Sequence, residues 1–235
     1  MDDKYKLILS QNDPDFPKMI QTTEIPGLLI YRRDTFEDER GFFREIVELR
    51  DLEKVLGKKI TVTQWNHSKS HPNVIRGFHS EPWEKIIYVA KGEAIAVIVD
   101  FRTDSPSFGK AVKIPLGENE KNTLYLPFGM GNPFCALGNQ DAEYMYMITG
   151  YFEGKETPAV SYKDPILTRQ FGGWPVEKPI VSEKDENYPT LKEKFGSEVD
   201  FSKFPWLKEE WIYSVTFNLA RVLFSKYAIA LSIRK

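Results

Sequence analysis

The feature that most constrains this chain is a series of short runs, rich in β-branched and aromatic residues, that begins after Pro26. Gly, Pro and Asp separate these runs at short intervals, which is typical of an all-β sandwich or barrel. The runs cover residues 28–32, 42–47, 60–66, 85–89, 94–101, 123–126 and 142–149. We therefore predict a mainly β fold with few short helices, of which one covers Leu49–Leu56.

Two segments flank this β region. Residues 1–25 are polar and contain Asp-Pro and Phe-Pro turn signals, which predicts an N-terminal arm before a domain at 26–185. Residues 186–235 are predicted to be a C-terminal extension with a helical end. The apolar residues that recur there near the helical period are Trp211, Val215, Leu219, Val222 and Ile229. Arg221 and Lys226 argue against a membrane span in this segment.

Composition excludes several classes of protein. With 32 basic and 34 acidic residues, net charge gives no argument for binding to nucleic acid or to an anionic membrane. The single cysteine, Cys135, excludes an internal disulfide and fits a reducing compartment. The first residues lack the apolar core of a signal peptide, so we expect a cytoplasmic protein.

The first candidates for catalysis are His79 and Lys85, which lie six residues apart. Histidine can take and return a proton near neutral pH, and a nearby lysine could stabilise the negative charge that such a step creates. His67 and His71 are interpreted as surface or packing residues. In the strand 60–66 and the residues after it, alternation places one polar set on the face opposite His67, namely Gln64, Asn66 and Ser68.

Two further candidates come from residues 144–164. Tyr144 and Tyr146 share one face of a predicted strand, where a phenol could donate a proton or simply pack. Asp164 precedes a proline in a turn, from which its carboxylate could orient an imidazole or play no part in chemistry. Spacing alone leaves both alternatives open.

Several stretches, taken together and in order, resemble the dTDP-4-dehydrorhamnose 3,5-epimerase family over about residues 26–185. They are 36–45, 64–68, Ile75-Arg-Gly-Phe-His79, Glu84-Lys-Ile-Ile87, 99–109, 126–129, 146–151, Lys163-Asp-Pro165, Trp174-Pro175 and Ser182-Glu-Lys-Asp185. The resemblance implies a cupin-type β jelly roll and a homodimer that exchanges N-terminal strands. It also implies a nucleotide-sugar substrate.

The resemblance also implies a role for each candidate. A 4-keto sugar has acidic C–H bonds on the carbons beside the ketone, so one base and one opposing acid can invert a centre. By resemblance His79 is the base, Asp164 its orienting carboxylate, Lys85 the stabiliser of the enolate oxygen, and Tyr146 the acid.

Residues that would hold the substrate follow from the same resemblance. They are Arg40, Glu45, Gln64, Asn66, Arg76 and Asn132, of which the first two would reach into the neighbouring subunit. An arginine fork suits this task because it binds phosphate oxygens in pairs.

The chain departs from the family pattern at two positions. Asn132 stands where the family usually has a histidine, and Ala96 where it usually has an aspartate. Metal-binding cupins use clustered histidines and a glutamate, and the shortage of such ligands here predicts a site without metal. The resemblance implies that the reaction needs no cofactor.

The sequence therefore predicts a cofactor-independent epimerase of a nucleoside-diphosphate-4-keto-6-deoxy sugar. One alternative is an epimerase that inverts only C3 or C5, or that uses a GDP- or CDP-linked sugar. A second alternative is a non-catalytic cupin that binds a nucleotide sugar.

Overall fold

The computed structural model describes residues 7–154 and 157–208. Antiparallel β-structure dominates these ranges, which confirms the predicted mainly β class. The strands described there are β1 (Ile20–Thr22), β2 (Leu29–Arg32), β3 (Thr35–Asp38), β4 (Gly41–Arg44), β5 (Gln64–Ser70), β6 (Ile75–Arg76), β7 (Phe78–His79), β8 (Lys85–Lys91), β9 (Glu93–Asp100), β10 (Ala111–Gly117), β11 (Asn122–Leu126), β12 (Met130–Gly131), β13 (Phe134–Leu137), β14 (Ala142–Ile148) and β15 (Ala159–Val160).

The helices are short and most of them follow the β region. They are α1 (Leu49–Leu56), α2 (Pro165–Phe171), α3 (Glu183–Glu186) and α4 (Leu191–Phe195), with 3₁₀ turns at Phe201–Lys203 and Pro205–Leu207. The predicted helix at Leu49–Leu56 is confirmed with its bounds. Glu48 caps its first turn, and Gly57 ends it at a φ of 70°, which glycine adopts without strain.

Two antiparallel sheets pack face to face. The first has the order β1-β2-β11-β8-β14-β5, and the second has the order β10-β9-β13-β6, with β12 also paired to β9. Apolar side chains of both sheets meet between them, including Ile87 and Leu124 from the first and Ala94, Ile98 and Ile114 from the second. This double-sheet arrangement is the predicted cupin-type jelly roll.

Helices and terminal segments cover the outer faces of the sheets. Leu52 and Val55 of α1 and Phe16 and Ile20 from the N-terminal region pack with residues of the first sheet. Residues of α2 and α4 pack with the second sheet, and Leu191 there is fully buried. The packed unit therefore extends on both sides of the predicted 26–185.

The predicted strands agree with the structure in position more than in extent. The run 60–66 becomes regular strand only from Gln64, and the run 42–47 stops at Arg44. Strands β10 and β13 were not predicted. The predicted C-terminal helical run extends from Pro205 to Ile233; it begins with the 3₁₀ turn at Pro205–Leu207, and its part after residue 208 lies outside the described residues. Among the residues that are described, no helix is both long and apolar enough to cross a membrane.

Candidate active site

A cavity of about 450 Å³ lies where β7, β8 and β14 meet the segment at 180–185. Its lining includes five of the residues predicted for the site and several others. The predicted ones are Arg76, His79, Lys85, Asn132 and Tyr146. The jelly roll therefore brings together side chains that are far apart in the sequence.

His79 lies on β7, and its ring makes a close polar contact with a residue of α3. The distance from its Nε2 to Oδ1 of Asp185 is 2.6 Å, and the side chain of Asp185 is only 7% exposed. Burial opposes ionisation of Asp185, but the hydrogen bond with His79 and its charge together hold the pKa of that carboxyl below its usual value. An Nε2–H that donates to this carboxylate leaves the lone pair of a neutral imidazole on Nδ1.

Asp164 does not contact His79, so the prediction that it orients the imidazole is wrong. Its Oδ1 accepts the Leu167 N–H at 2.8 Å as the cap of α2, and its Oδ2 accepts the Leu191 N–H at 2.7 Å. Both oxygens are therefore used in holding α2 and the start of α4. The Asp-Pro turn identified a helix cap instead of a partner for the base.

Asp185 was missed because its hydrogen bond with His79 joins residues that are 106 positions apart. The Ser182-Glu-Lys-Asp185 motif contained the signal, but a motif alone does not say which acid reaches the histidine. Ser182 caps α3 by accepting the Asp185 N–H at 3.1 Å. Gly77 allows the close approach, since a Cβ there would lie 2.8 Å from Asp185 Oδ1.

Lys85 begins β8 and is buried at the floor of the cavity. It forms an ion pair with Glu81, which was not predicted, and donates to Oδ1 of Asn132 at 3.3 Å. Its Nζ also lies 5.1 Å from the ring centroid of Tyr146. Burial lowers the pKa of Lys85, and the charge of Glu81 opposes that effect.

Tyr146 and Tyr144 share the inward face of β14, as the alternation predicted. Tyr144 is 3% exposed and stacks on Phe134 with ring centroids 4.1 Å apart, so it belongs to the core. Both tyrosines line the cavity, and Tyr146 is the less buried of the two. Burial, and secondly the charge of Glu81, raise the pKa of Tyr146, so its phenol carries a proton at neutral pH.

Gln64 and Asn66 lie on the neighbouring strand, β5, beside Ile148 and Tyr146 of β14. The Gln64 amide donates to Oδ1 of Asn66 at 2.7 Å. Arg76 donates to Ser70 Oγ at 3.1 Å and lines the cavity. Of these three predicted residues, the structure brings only Arg76 to the cavity lining.

Arg40 and Glu45 lie away from the cavity of this chain. The Arg40 side chain is 83% exposed in the turn between β3 and β4, where it pairs with Asp38. Glu45 accepts a hydrogen bond from Tyr31 at 3.3 Å. The structure therefore does not bring these two residues to the site of their own subunit.

The other histidines lie outside the cavity. His71 Nδ1 is 2.8 Å from Oδ1 of Asp141 on the surface, and His67 points away from the polar face of β5, as predicted. Within 7–154 and 157–208, no three His, Cys, Asp or Glu side chains are arranged to hold a metal ion.

Comparison with known proteins gives this geometry a family. The sequence profile of the dTDP-4-dehydrorhamnose 3,5-epimerase family matches residues 22–193. The chain belongs to this family. It is 37% identical over 169 residues to the dTDP-4-dehydrorhamnose 3,5-epimerase of Shigella flexneri, a match that covers 70% of this chain and 91% of that protein. As a member of the dTDP-4-dehydrorhamnose 3,5-epimerase family, it is an epimerase of the isomerase class.

Two further relatives are informative. A solved structure of the Legionella pneumophila dTDP-6-deoxy-D-glucose-3,5-epimerase in complex with dTDP-4-keto-L-rhamnose matches with a TM-score of 0.67 and 30% identity, over 78% of this chain and 95% of that one. The dTDP-4-dehydro-6-deoxyglucose 3-epimerase of Streptomyces bikiniensis is 30% identical over 66% of this chain and 79% of its own length. The family thus includes enzymes named for two centres and for one.

The two departures from the family pattern have different surroundings. Ala96 is fully buried opposite Phe134, inside the apolar core between the sheets. Asn132 faces the cavity and accepts from Lys85, so it keeps hydrogen bonding where a titratable ring is absent. In this member of the dTDP-4-dehydrorhamnose 3,5-epimerase family, the acidic partner of Lys85 is Glu81.

Proposed function

We propose that this protein inverts C3 and C5 of dTDP-4-dehydro-6-deoxyglucose without a cofactor, by removing and returning protons beside the 4-keto group. The observation that carries the proposal is that the His79–Asp185 pair, Lys85 and Tyr146 all line one cavity in a member of an epimerase family. This set supplies a base, a cation and an acid.

Each inversion would proceed in two proton transfers. Nδ1 of His79 removes the proton from the carbon beside the ketone, and the C–H electrons form an enolate whose oxygen carries the negative charge. The Lys85 ammonium stabilises that oxygen. The Tyr146 phenol then gives its proton to the opposite face of the same carbon, and Tyr146 and His79 return to their starting states by exchange with water.

Asp185 would act through His79. Its carboxylate fixes the tautomer with the lone pair on Nδ1 and stabilises the imidazolium that forms when the proton is taken. The fixed tautomer leaves Nδ1 as the basic nitrogen of the ring. The reaction needs a single His–Asp pair because the two centres would use the same base in succession.

The direct test is exchange of ring protons with solvent in D₂O, followed by mass spectrometry and NMR. With dTDP-4-dehydro-6-deoxyglucose, we expect deuterium at both C3 and C5 and a rhamnose-configured product. His79→Ala should abolish exchange. His71→Ala is the matched control, since it removes the histidine of a second His–Asp pair that lies outside the cavity. Full exchange in the His79→Ala protein would reject His79 as the base.

The same experiment shows whether the enzyme inverts one carbon or both. Deuterium at C3 alone would identify a single-centre enzyme, a candidate that the similarity to a 3-epimerase supports. Binding without exchange of any nucleotide sugar would identify a non-catalytic cupin. A screen of dTDP-, GDP- and CDP-linked sugars completes that comparison.

We further propose a homodimer in which the β3–β4 hairpin of one subunit reaches the site of the other. Arg40 is exposed and far from the cavity of its own chain, and Phe36, Phe42 and Phe43 of the same hairpin are more than half exposed. A second subunit would cover these rings, and Arg40 would bind the diphosphate.

Mixing subunits tests this arrangement. The His79→Ala and Arg40→Ala proteins should each be impaired alone. After they are unfolded and refolded together, mixed dimers should regain exchange, because one site then combines His79 with Arg40 of the other chain. No recovery would place Arg40 in its own subunit's site or outside the reaction.

The single buried cysteine suits the cytoplasm, where we place the reaction.

A further inference from the structure

The cavity contains two acid–base pairs, His79 with Asp185 and Lys85 with Glu81, and the proposed reaction has used only three of their four members. Among the described residues that line it, the carboxylates are those of Asp185 and Glu81. Asp185 is occupied by His79, whereas Glu81 pairs with Lys85. Glu81 therefore has a role that the sequence did not indicate.

The position of Glu81 is fixed by the fold. It follows His79 by two residues, and its backbone carbonyl accepts the Gly129 N–H at 3.3 Å. The preceding residue, Ser80, forms a β-bridge with Gly131, next to Asn132. The Glu81 side chain is 18% exposed and lies on the wall between the catalytic cavity and a second cavity of about 870 Å³. The second cavity is lined by none of the predicted catalytic residues.

Lys85 needs a carboxylate partner because it is buried. Its other described polar contact is the neutral Asn132 amide, and its Nζ lies over the Tyr146 ring. The remaining titratable or charged groups that face this cavity are Arg76, His79, Asp185 and Tyr144. Arg76 is a cation and Asp185 is bonded to His79, so Glu81 is the lining group placed to neutralise the ammonium.

We propose that Glu81 is a positioning residue of the reaction, which keeps Lys85 protonated and holds its ammonium beside Tyr146, where the enolate oxygen would form. The role in catalysis rests on the proposed function. The contact between Glu81 and Lys85 does not.

The electrostatics of the cavity agree with this role. Burial lowers the pKa of Lys85, and Glu81 opposes this effect by raising that pKa. Burial raises the pKa of Tyr146, and the charge of Glu81 raises it further. Both groups must be protonated for the steps assigned to them. Removal of the Glu81 charge should therefore lower both pKa values and make the enzyme lose activity at a lower pH.

The variant that tests this is Glu81→Gln, which keeps the shape and removes the charge. We expect the alkaline limb of the pH profile for deuterium exchange to move down by about 1–3 pH units, the usual effect of an opposite charge this close. Glu84→Gln is the matched control, because Glu84 is on the same loop and pairs with Lys58 outside the cavity. Glu84→Gln should leave the alkaline limb at its wild-type pH. Glu81→Asp keeps the charge and should bring the limb most of the way back to that pH.

A second measurement does not depend on activity. In protein labelled with ¹³C at the lysine Cε, the Lys85 signal is assigned by its loss in Lys85→Arg. Its titration midpoint should fall in Glu81→Gln and stay unchanged in Glu84→Gln. If Glu81→Gln does not fold, Glu81→Asp replaces it and should lower the midpoint by a smaller amount.

The outcomes separate the two proposals. A lowered Lys85 midpoint together with a shifted limb supports the positioning role. An unmoved midpoint overturns it, whatever the rate of exchange. If the wild-type protein exchanges no protons with any nucleotide sugar, the proposed function fails, while the midpoint still decides whether Glu81 holds Lys85 protonated.

Discussion

Replacing Asp185 by Asn is the change that most directly tests the assignment of the proton-transfer pair. The carboxylate lies 2.6 Å from His79 Nε2, a short hydrogen bond to a charged acceptor, and it is almost fully buried. An amide has nearly the same shape but carries no charge to stabilise the imidazolium, and its NH₂ can donate to the ring and so favour the other tautomer. Catalysis by a positioned base contributes about 10²–10⁴-fold, or about 3–5 kcal/mol of barrier.

We therefore expect Asp185→Asn to slow deuterium exchange by about 10²–10⁴-fold, and by no more than His79→Ala, because Asp185 acts through His79. The assay is single-turnover exchange in D₂O with the folded fraction measured in parallel. Asp141→Asn is the matched control, since it alters the carboxylate of the surface His71 pair. A wild-type exchange rate in Asp185→Asn, with slow exchange in Asp164→Asn, would refute the assignment.

The same variant has a pH signature in stability. The folded pKa of Asp185 is lowered, so its stabilising effect is present above the ordinary aspartate pKa and is lost as pH falls through the folded value. The difference in unfolding free energy between wild type and Asp185→Asn should accordingly shrink in acid. Chemical denaturation at a series of pH values measures it, and a difference that grows in acid would contradict the sign.

Three other substitutions separate structure from chemistry. Asp164→Ala should lower the unfolding free energy by about 2–3 kcal/mol, because two buried N–H groups lose a charged acceptor, while exchange per folded molecule stays the same. Gly77→Ala should slow exchange about tenfold or more with little change in nucleotide binding, because its Cβ would displace the Asp185 carboxylate; an unchanged rate would contradict this. Leu191→Ala should cost about 2–5 kcal/mol in denaturant unfolding, since Leu191 is fully buried against the second sheet; a loss below 1 kcal/mol would mean that α4 packs loosely.

Much of the fold was predictable because its central strands are short apolar runs bounded by turn residues. β8, β9, β11 and β14 are rich in β-branched and aromatic residues, and β11 is buried along its whole length, so composition identified these strands more than alternation did. β10 was harder to predict because it is an edge strand that contains Pro115, and proline within a run argues against a strand. β13 was missed because it is four residues long and directly follows the loop at 132–133.

The candidate site divides in the same way. His79 and Lys85 were found from their residue types and their spacing, Tyr146 from the alternation along its strand, and their separate roles from the resemblance to the family. Asp185 and Glu81 lie outside strands, on a short helix and a loop, so their direction depends on how distant segments pack. Asp164 was assigned wrongly for a related reason: an aspartate before a proline suits a helix cap as well as a histidine partner, and only the packed structure distinguishes them.

The carboxylate that contacts His79 comes from a late part of the chain, after all strands of the two main sheets. The strands of both main sheets are present once the chain has been made as far as Ile148, but the acid that serves His79 arrives later, on α3. A cut in the connection between α2 and α3 would leave the strands of both main sheets on one fragment and Asp185 on the other, together with Leu191 and Phe195, which pack on the second sheet. The segment that carries the carboxylate contacting His79 is therefore also part of the packing of the jelly roll, so loss of this segment would remove both together.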